Sequence, residues 1–174
     1  MLRTVTSRSV RLALCSALAL ASCEAAGTMA GGGPQSDYLV ARQALETGNY
    51  DIAIRHYARL IESVDANSAA RLQLEYAHAL LRANQYFQAI TVADVLIQRH
   101  DGSIRASALA VRGTARHEAA RERLAAGLRD GDTRALLVSA QNDINAFVAQ
   151  EGTLDSTGSM RARASLITQD LQSV

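Results

Sequence analysis

The sequence predicts an all-α chain, and three observations lead there. Aromatic residues make up only 4% of 174 residues, with no Trp, and Pro34 is the single proline. A sandwich or barrel of short strands draws more heavily on aromatic and β-branched residues and on turn punctuation. Ala, Leu and Arg dominate instead, and all three favour helix. Apolar residues also recur at three- and four-residue spacing, as at Ile54, Tyr57, Leu60, Ile61 and Val64, which is helical periodicity. Hydrophobic residues at 48% and charged residues at 20% form an ordinary globular balance. That is enough apolar surface to offset the ordering entropy of one folded domain.

The charge pattern excludes one class of partner. All 18 basic residues are Arg, against 17 acids, for a net charge of +1. So even a balance gives no bulk field for nucleic acid and leaves room only for a local basic strip.

The amino-terminal residues read as an address. Arg3, Arg8 and Arg11 precede an apolar run from Leu12 to Ala21, followed by Ser22-Cys23. This is the charged, apolar and small-residue order of a signal peptide, expected over residues 1–22. The run is about half the length a membrane span needs. Leu20-Ala21-Ser22-Cys23 resembles the lipobox of bacterial lipoproteins. That resemblance implies cleavage before Cys23, a diacylglycerol on its thiol, and acylation of its new amine by a chain such as palmitate. Several acyl chains hold a protein on a membrane durably where one would not.

Cys15 falls within the leader and Cys23 would be alkylated, so the expected mature chain carries no free thiol or disulfide. It would keep 15 Arg against the 17 acids, a net charge of −2. Residues 23–35, with Gly31-Gly32-Gly33-Pro34, show no periodicity and read as the lipidated cysteine and its flexible tether. Such a tether reaches roughly 20 Å. Glu24 follows the cysteine where inner-membrane lipoproteins often carry Asp, which favours the outer membrane.

The folded part, expected over residues 36–174, repeats itself. Tyr50-Asp51-Ile52-Ala53-Ile54 returns as Tyr86-Phe87-Gln88-Ala89-Ile90 at an offset of 36. The same offset pairs Ala41 with Ala77, Ala44 with Leu80, Leu45 with Leu81, and Leu60-Ile61 with Leu96-Ile97. Each unit reads as two helices joined by a short turn. Gly48 suits the left-handed position that ends a helix, and Asn84 takes that role in the second copy. Ala41 and Ala77 let the helices of a hairpin approach closely.

This pattern resembles the tetratricopeptide repeat (TPR). The first copy offers Ala41, Gly48-Asn49, Tyr50, Ala53, Tyr57 and Leu60, and the second Ala77, Asn84, Tyr86, Ala89, Ala93 and Leu96. The period is 36 where the family's is about 34, the early Trp is absent, and Asp65 and Asp101 stand near the usual closing Pro. The resemblance implies a short right-handed solenoid of helical hairpins. Bacterial lipoproteins with such repeats include pilus-assembly and secretin-associated factors.

A third, stretched unit follows. Gly113 falls 36 after Ala77, so Ser103 to about Leu128 supplies a first helix. Ala140, Ile144, Phe147 and Val148 match Ala89, Ala93, Leu96 and Ile97 at an offset of 51, which is 15 residues more. Elongation of both helices and a turn at Arg129-Asp130-Gly131-Asp132 absorb the excess. A capping helix, Met160 to Leu171, sets Leu166, Ile167 and Leu171 against Arg161, Arg163 and Asp170.

Catalytic patterns are missing. His56, His78, His100 and His117 form no close metal-binding pair and are expected at the surface or in a groove. The chain has no Gly-x-Ser-x-Gly elbow and no phosphate-binding glycine loop. A non-enzymatic protein with no cofactor and no metal is expected. Binding remains, and the TPR resemblance places it on the first helix of each hairpin. The groove residues so implied are Tyr38, Arg42 and Glu46, then Arg71, Leu74, His78 and Arg82, then Ala110, Thr114 and Glu118. Arg42, Arg71 and Arg82 together could receive carboxylates, since guanidinium binds them in a bidentate manner. The partner is a protein or peptide of the cell envelope. Self-association through the stretched helices at 104–128 and 134–150 is the alternative.

Overall fold

The computed structural model describes residues 33–174, which are all-helical with no strand among them. The expected leader 1–22, the lipidation site Cys23 and the tether up to residue 32 lie outside the described residues. Seven helices follow in order: α1 (Pro34–Glu46), α2 (Tyr50–Ser63), α3 (Ala66–Arg82), α4 (Tyr86–Arg99), α5 (Gly102–Ala125), α6 (Gly131–Glu151) and α7 (Ser159–Leu171). Each packs on the next, and in addition α3 packs on α5 and α5 on α7. That is nearest-neighbour stacking of three hairpins with a closing helix.

Some boundaries differ from expectation for identifiable reasons. Pro34 and Gln35 belong to α1 and not to the tether, because proline's fixed φ and missing N–H suit the first helical position. The third turn closes earlier than Arg129–Asp132. Gly127 (φ 79°) is its left-handed residue, as Gly48 (φ 81°) and Asn84 (φ 60°) are in the first two. Asp130 instead caps α6 by accepting the Thr133 backbone N–H at 3.0 Å. That bond, with the Arg123 guanidinium second, holds its carboxyl down at about 2.

Burial follows the repeat. Ala41 and Ala77 are fully buried and Gly113 is buried too. The second-helix triplets Ala53/Ala89/Ala140, Tyr57/Ala93/Ile144 and Leu60/Leu96/Phe147 are all buried. Small residues stand where backbones meet, and larger ones fill the space between hairpins. Gly113 marks a close approach: a Cβ there would stand 2.9 Å from Asp143 Cβ and 2.9 Å from two carbons of Ile144. Gly113→Val should therefore lower the unfolding free energy by about 3 kcal/mol, at the upper end of overpacking. Urea denaturation measures it; a loss under about 1 kcal/mol would mean that α5 and α6 are not so close.

The third hairpin is longer on both sides. α5 has 24 residues against 17 in α3, and α6 has 21 against 14 in α4. Seven residues add about 10 Å of helix. The added length supports α7: Ala120, Leu137, Ala140 and Ile144 enclose Ile167, with Leu171 and Val174 packed alongside. Leu166, expected on that inner face, is 51% exposed. It sits about 100° around the helix from Ile167, and the inward stripe is Met160, Ala164, Ile167 and Leu171.

Charged groups lie inside as well. Asp143 of α6, only 5% exposed in its side chain, accepts from Arg112 Nε at 2.9 Å and Arg116 Nη1 at 2.6 Å. Arg112 reaches on to Asp94 of α4, so one network ties three helices together. Gly113 lies between these two arginines in the chain, and its missing Cβ lets Asp143 approach them.

Candidate partner-binding groove

The first helices of the hairpins line a row of clefts. The largest, about 780 Å³, lies between α1 and α3 with the end of α2 as its floor. Tyr38, Leu39, Leu60, Leu72, Arg71 and Glu75 form much of its wall. A second, of about 390 Å³, continues it past Arg42, Glu46, Glu75, His78 and Arg82. A third, of about 500 Å³, begins at His78 and Arg82 and crosses Ala110, Thr114 and Glu118 of α5 to Met160 and Arg163 of α7. Adjacent clefts share Glu75, and then His78 with Arg82, so they form one path.

Nine of the ten groove positions implied by the TPR resemblance border this path. Leu74 is the correction. It packs against the buried cluster Ala70, Ala93, Leu96 and Ala108 that joins α3 to its neighbours. The residue facing the groove there is Glu75, one position and about 100° further around α3.

Glu75 also changes the reading of the arginines. Its Oε2 accepts from the Tyr57 hydroxyl at 2.7 Å and its Oε1 from the Tyr38 hydroxyl at 3.3 Å. Arg42 stands 3.6 Å from this carboxylate and Arg71 3.7 Å, while Arg42 also donates to Glu46 at 3.0 Å. Two of the three guanidiniums therefore already face a carboxylate of this chain. The Glu46 bond, then the charge of Glu75, raises the Arg42 pKa. Arg82 differs: its Nε and Nη2 donate to the Tyr50 hydroxyl at 3.3 and 3.1 Å. Its charge meets no acid in these contacts and faces the groove beside the exposed His78. The expected three-arginine receptor is thus a Glu75-centred hub plus one separate cation at Arg82. Glu75 was detectable in principle, since it lies four residues after Arg71 and three before His78 on the same stripe.

His117 departs from expectation too. It is buried, at 1% exposure, between α5 and α7. Its Nε2 lies 2.8 Å from Asp170 Oδ2, and its Nδ1 receives the Arg163 guanidinium at 3.0 Å. His56, in contrast, pairs with Asp37 at 2.8 Å near the surface. Among the described residues no group of three or more His, Cys, Asp or Glu is placed to hold a metal ion. No described helix is long and apolar enough to cross a membrane.

Comparison with protein-family models, with curated proteins and with solved structures finds no match for this chain. This chain's own sequence and the geometry of the groove therefore carry the functional argument.

Proposed function

We propose that this protein is a non-enzymatic, lipid-anchored scaffold of TPR type that faces the periplasm, with the outer membrane favoured, and holds another envelope protein in its groove. The observation that carries this reading is the row of clefts along α1, α3, α5 and α7, which share lining residues from one to the next. An apolar stretch at Tyr38, Leu39 and Leu72 supplies contact area. Arg82 and His78 supply a polar anchor beyond it. The lipobox resemblance at Cys23 and the tether behind it support the membrane attachment, and the repeat resemblance favours pilus or secretion-system assembly as the setting.

Arg82 and His78 are the residues to reverse, because altering Arg42 or Arg71 would also disturb Glu75. Arg82→Glu with His78→Glu should reduce recovery of the natural partner in co-purification by about tenfold or more, as loss of an anchoring cation does. Helix content should remain unchanged. Undiminished recovery would remove the groove from the account. Mass spectrometry of the membrane-bound protein tests the anchor separately: it should begin at an acylated Cys23.

Self-association is the second reading, and the exposed apolar residues of α1 favour it. Leu39 is 67% exposed there and Val40 lies beside it, whereas α7 covers the opposite end. The stretched helices expected to meet a twin spend most of their apolar residues inside the chain, on α4, on α7 and on each other, and leave Leu128 and Val138 exposed. Sedimentation of the folded part distinguishes the readings: a Leu39→Glu variant that turns a dimer into a monomer supports self-association, and a monomeric parent opposes it.

A further inference from the structure

His117 sits in a closed electrostatic arrangement that the groove reading alone does not use. A guanidinium can only donate, so Nδ1, 3.0 Å from Arg163 Nη1, must accept. The ring proton then belongs on Nε2, which donates to Asp170 Oδ2 at 2.8 Å. The same Arg163 Nη1 reaches Glu118 Oε1 at 2.7 Å. One neutral imidazole therefore fastens both Arg163 and Asp170 of α7 to α5. Both residues come from the helix that closes the end of the stack.

We propose that His117, with Asp170, Arg163 and Glu118, is a proton-operated clasp that fastens α7 to α5 and so sets the position of one wall of the groove. Protonation would place a second N–H on Nδ1, aimed at a guanidinium. Arg163 must then withdraw. Arg163, Glu118 and Met160 also line the 500 Å³ cleft that reaches His78 and Arg82, so the withdrawal reshapes that cleft. The importance of this for binding rests on the groove reading above; the clasp itself does not.

The surrounding charges set the direction. Burial comes first and Arg163 adds to it, against Asp170 and Glu118, and the balance lowers the His117 pKa below its ordinary value. On the other packed helices, His78 of α3 and Tyr86 of α4 line the same cleft, where desolvation lowers the His78 pKa and raises that of Tyr86. Asp143 of α6 and Asp94 of α4 are held by Arg112, with Arg116 also on Asp143, and Arg82 of α3 rests on Tyr50. A base whose folded pKa is depressed favours the fold fully above its unfolded value, about 6.5. That contribution is lost as pH falls from there toward the folded value. Acidification therefore releases the clasp. α7 is suited to local opening, being short and anchored in the core by the single fully buried Ile167.

The experiment follows backbone hydrogen exchange and the His117 ring signals by NMR in the full chain, without any partner, from pH ~7.5 to ~5. After correction for intrinsic exchange, α7 amides should lose protection severalfold as pH falls, while those of α3 and α4 keep theirs. His117→Gln can still accept from Arg163 and donate to Asp170 but cannot gain a proton in this range, so α7 should keep its protection at low pH. Arg163→Met should raise the His117 titration midpoint. The clasp is overturned if α7 protection is as constant with pH as that of α3 and α4 in the parent chain. Equal loosening of α7 in the parent and in His117→Gln would overturn it too. Because no partner enters, failure here is distinct from failure of the groove to bind one.

Discussion

Asp143→Ala should lower the unfolding free energy by about 3 kcal/mol, the low end of the range for breaking a buried ion pair. The carboxylate is almost wholly buried and engages Arg112 through two oxygens and Arg116 through one. Removing it leaves two guanidiniums facing each other in a poorly solvated place, with Asp94 neutralising only Arg112. Both arginines keep some solvent contact, 17% and 21% of their side chains, which limits the loss. The cost is that of unpaired charge and not of missing volume. A triple variant with Asp143→Leu, Arg112→Met and Arg116→Met should therefore recover most of the stability, since apolar groups of like shape often replace such networks at little cost. Urea denaturation of the single and triple variants checks both. A single variant within about 1 kcal/mol of the parent would show that the network is solvated in solution.

Tyr57→Ala should cost more, about 4 kcal/mol, because the ring is fully buried among α1, α2 and α3. Its hydroxyl also supplies the shortest bond to Glu75, at 2.7 Å. Burial first, and then this carboxylate, push the phenol far above its ordinary range, so it remains a donor at any working pH. Tyr57→Phe isolates the polar part and should cost about 1.5 kcal/mol, the low figure for a bond to a charged acceptor, because Tyr38, Arg42 and Arg71 stay beside Glu75. Thermal unfolding of the two variants separates the volume of the ring from its hydroxyl. Equal losses would contradict this division.

The repeat was legible because its signal is periodic and apolar. Ala41, Ala77 and Gly113 share one register, and their burial follows directly from it. Gly48 and Asn84 announced their left-handed turns, since few other residues adopt positive φ without strain. Polar partnerships were not legible. Asp143 meets Arg112 31 positions away and His117 meets Asp170 53 positions away, so only the stacking of α5 with α6 and α7 brings them together. His117 looked like its three exposed or half-exposed counterparts, because a histidine's own position in a helix says nothing about which helix will cover it. Leu74 and Glu75 show the finest limit. Adjacent helical positions point about 100° apart, and a small error in the stripe exchanges a core leucine for the acid at the centre of the groove.

The central claim, that a partner lies along α1, α3 and α5, is tested most directly by photo-crosslinking from single positions in cells that express the full chain. Probes replace Gln35 and Thr114 in the groove, and Thr91 and Gln98 on the exposed side of α4. Discrete adducts from both groove positions and none from the α4 positions are predicted. Adducts from α4 with a silent groove, or the same adducts from both faces, would contradict the account.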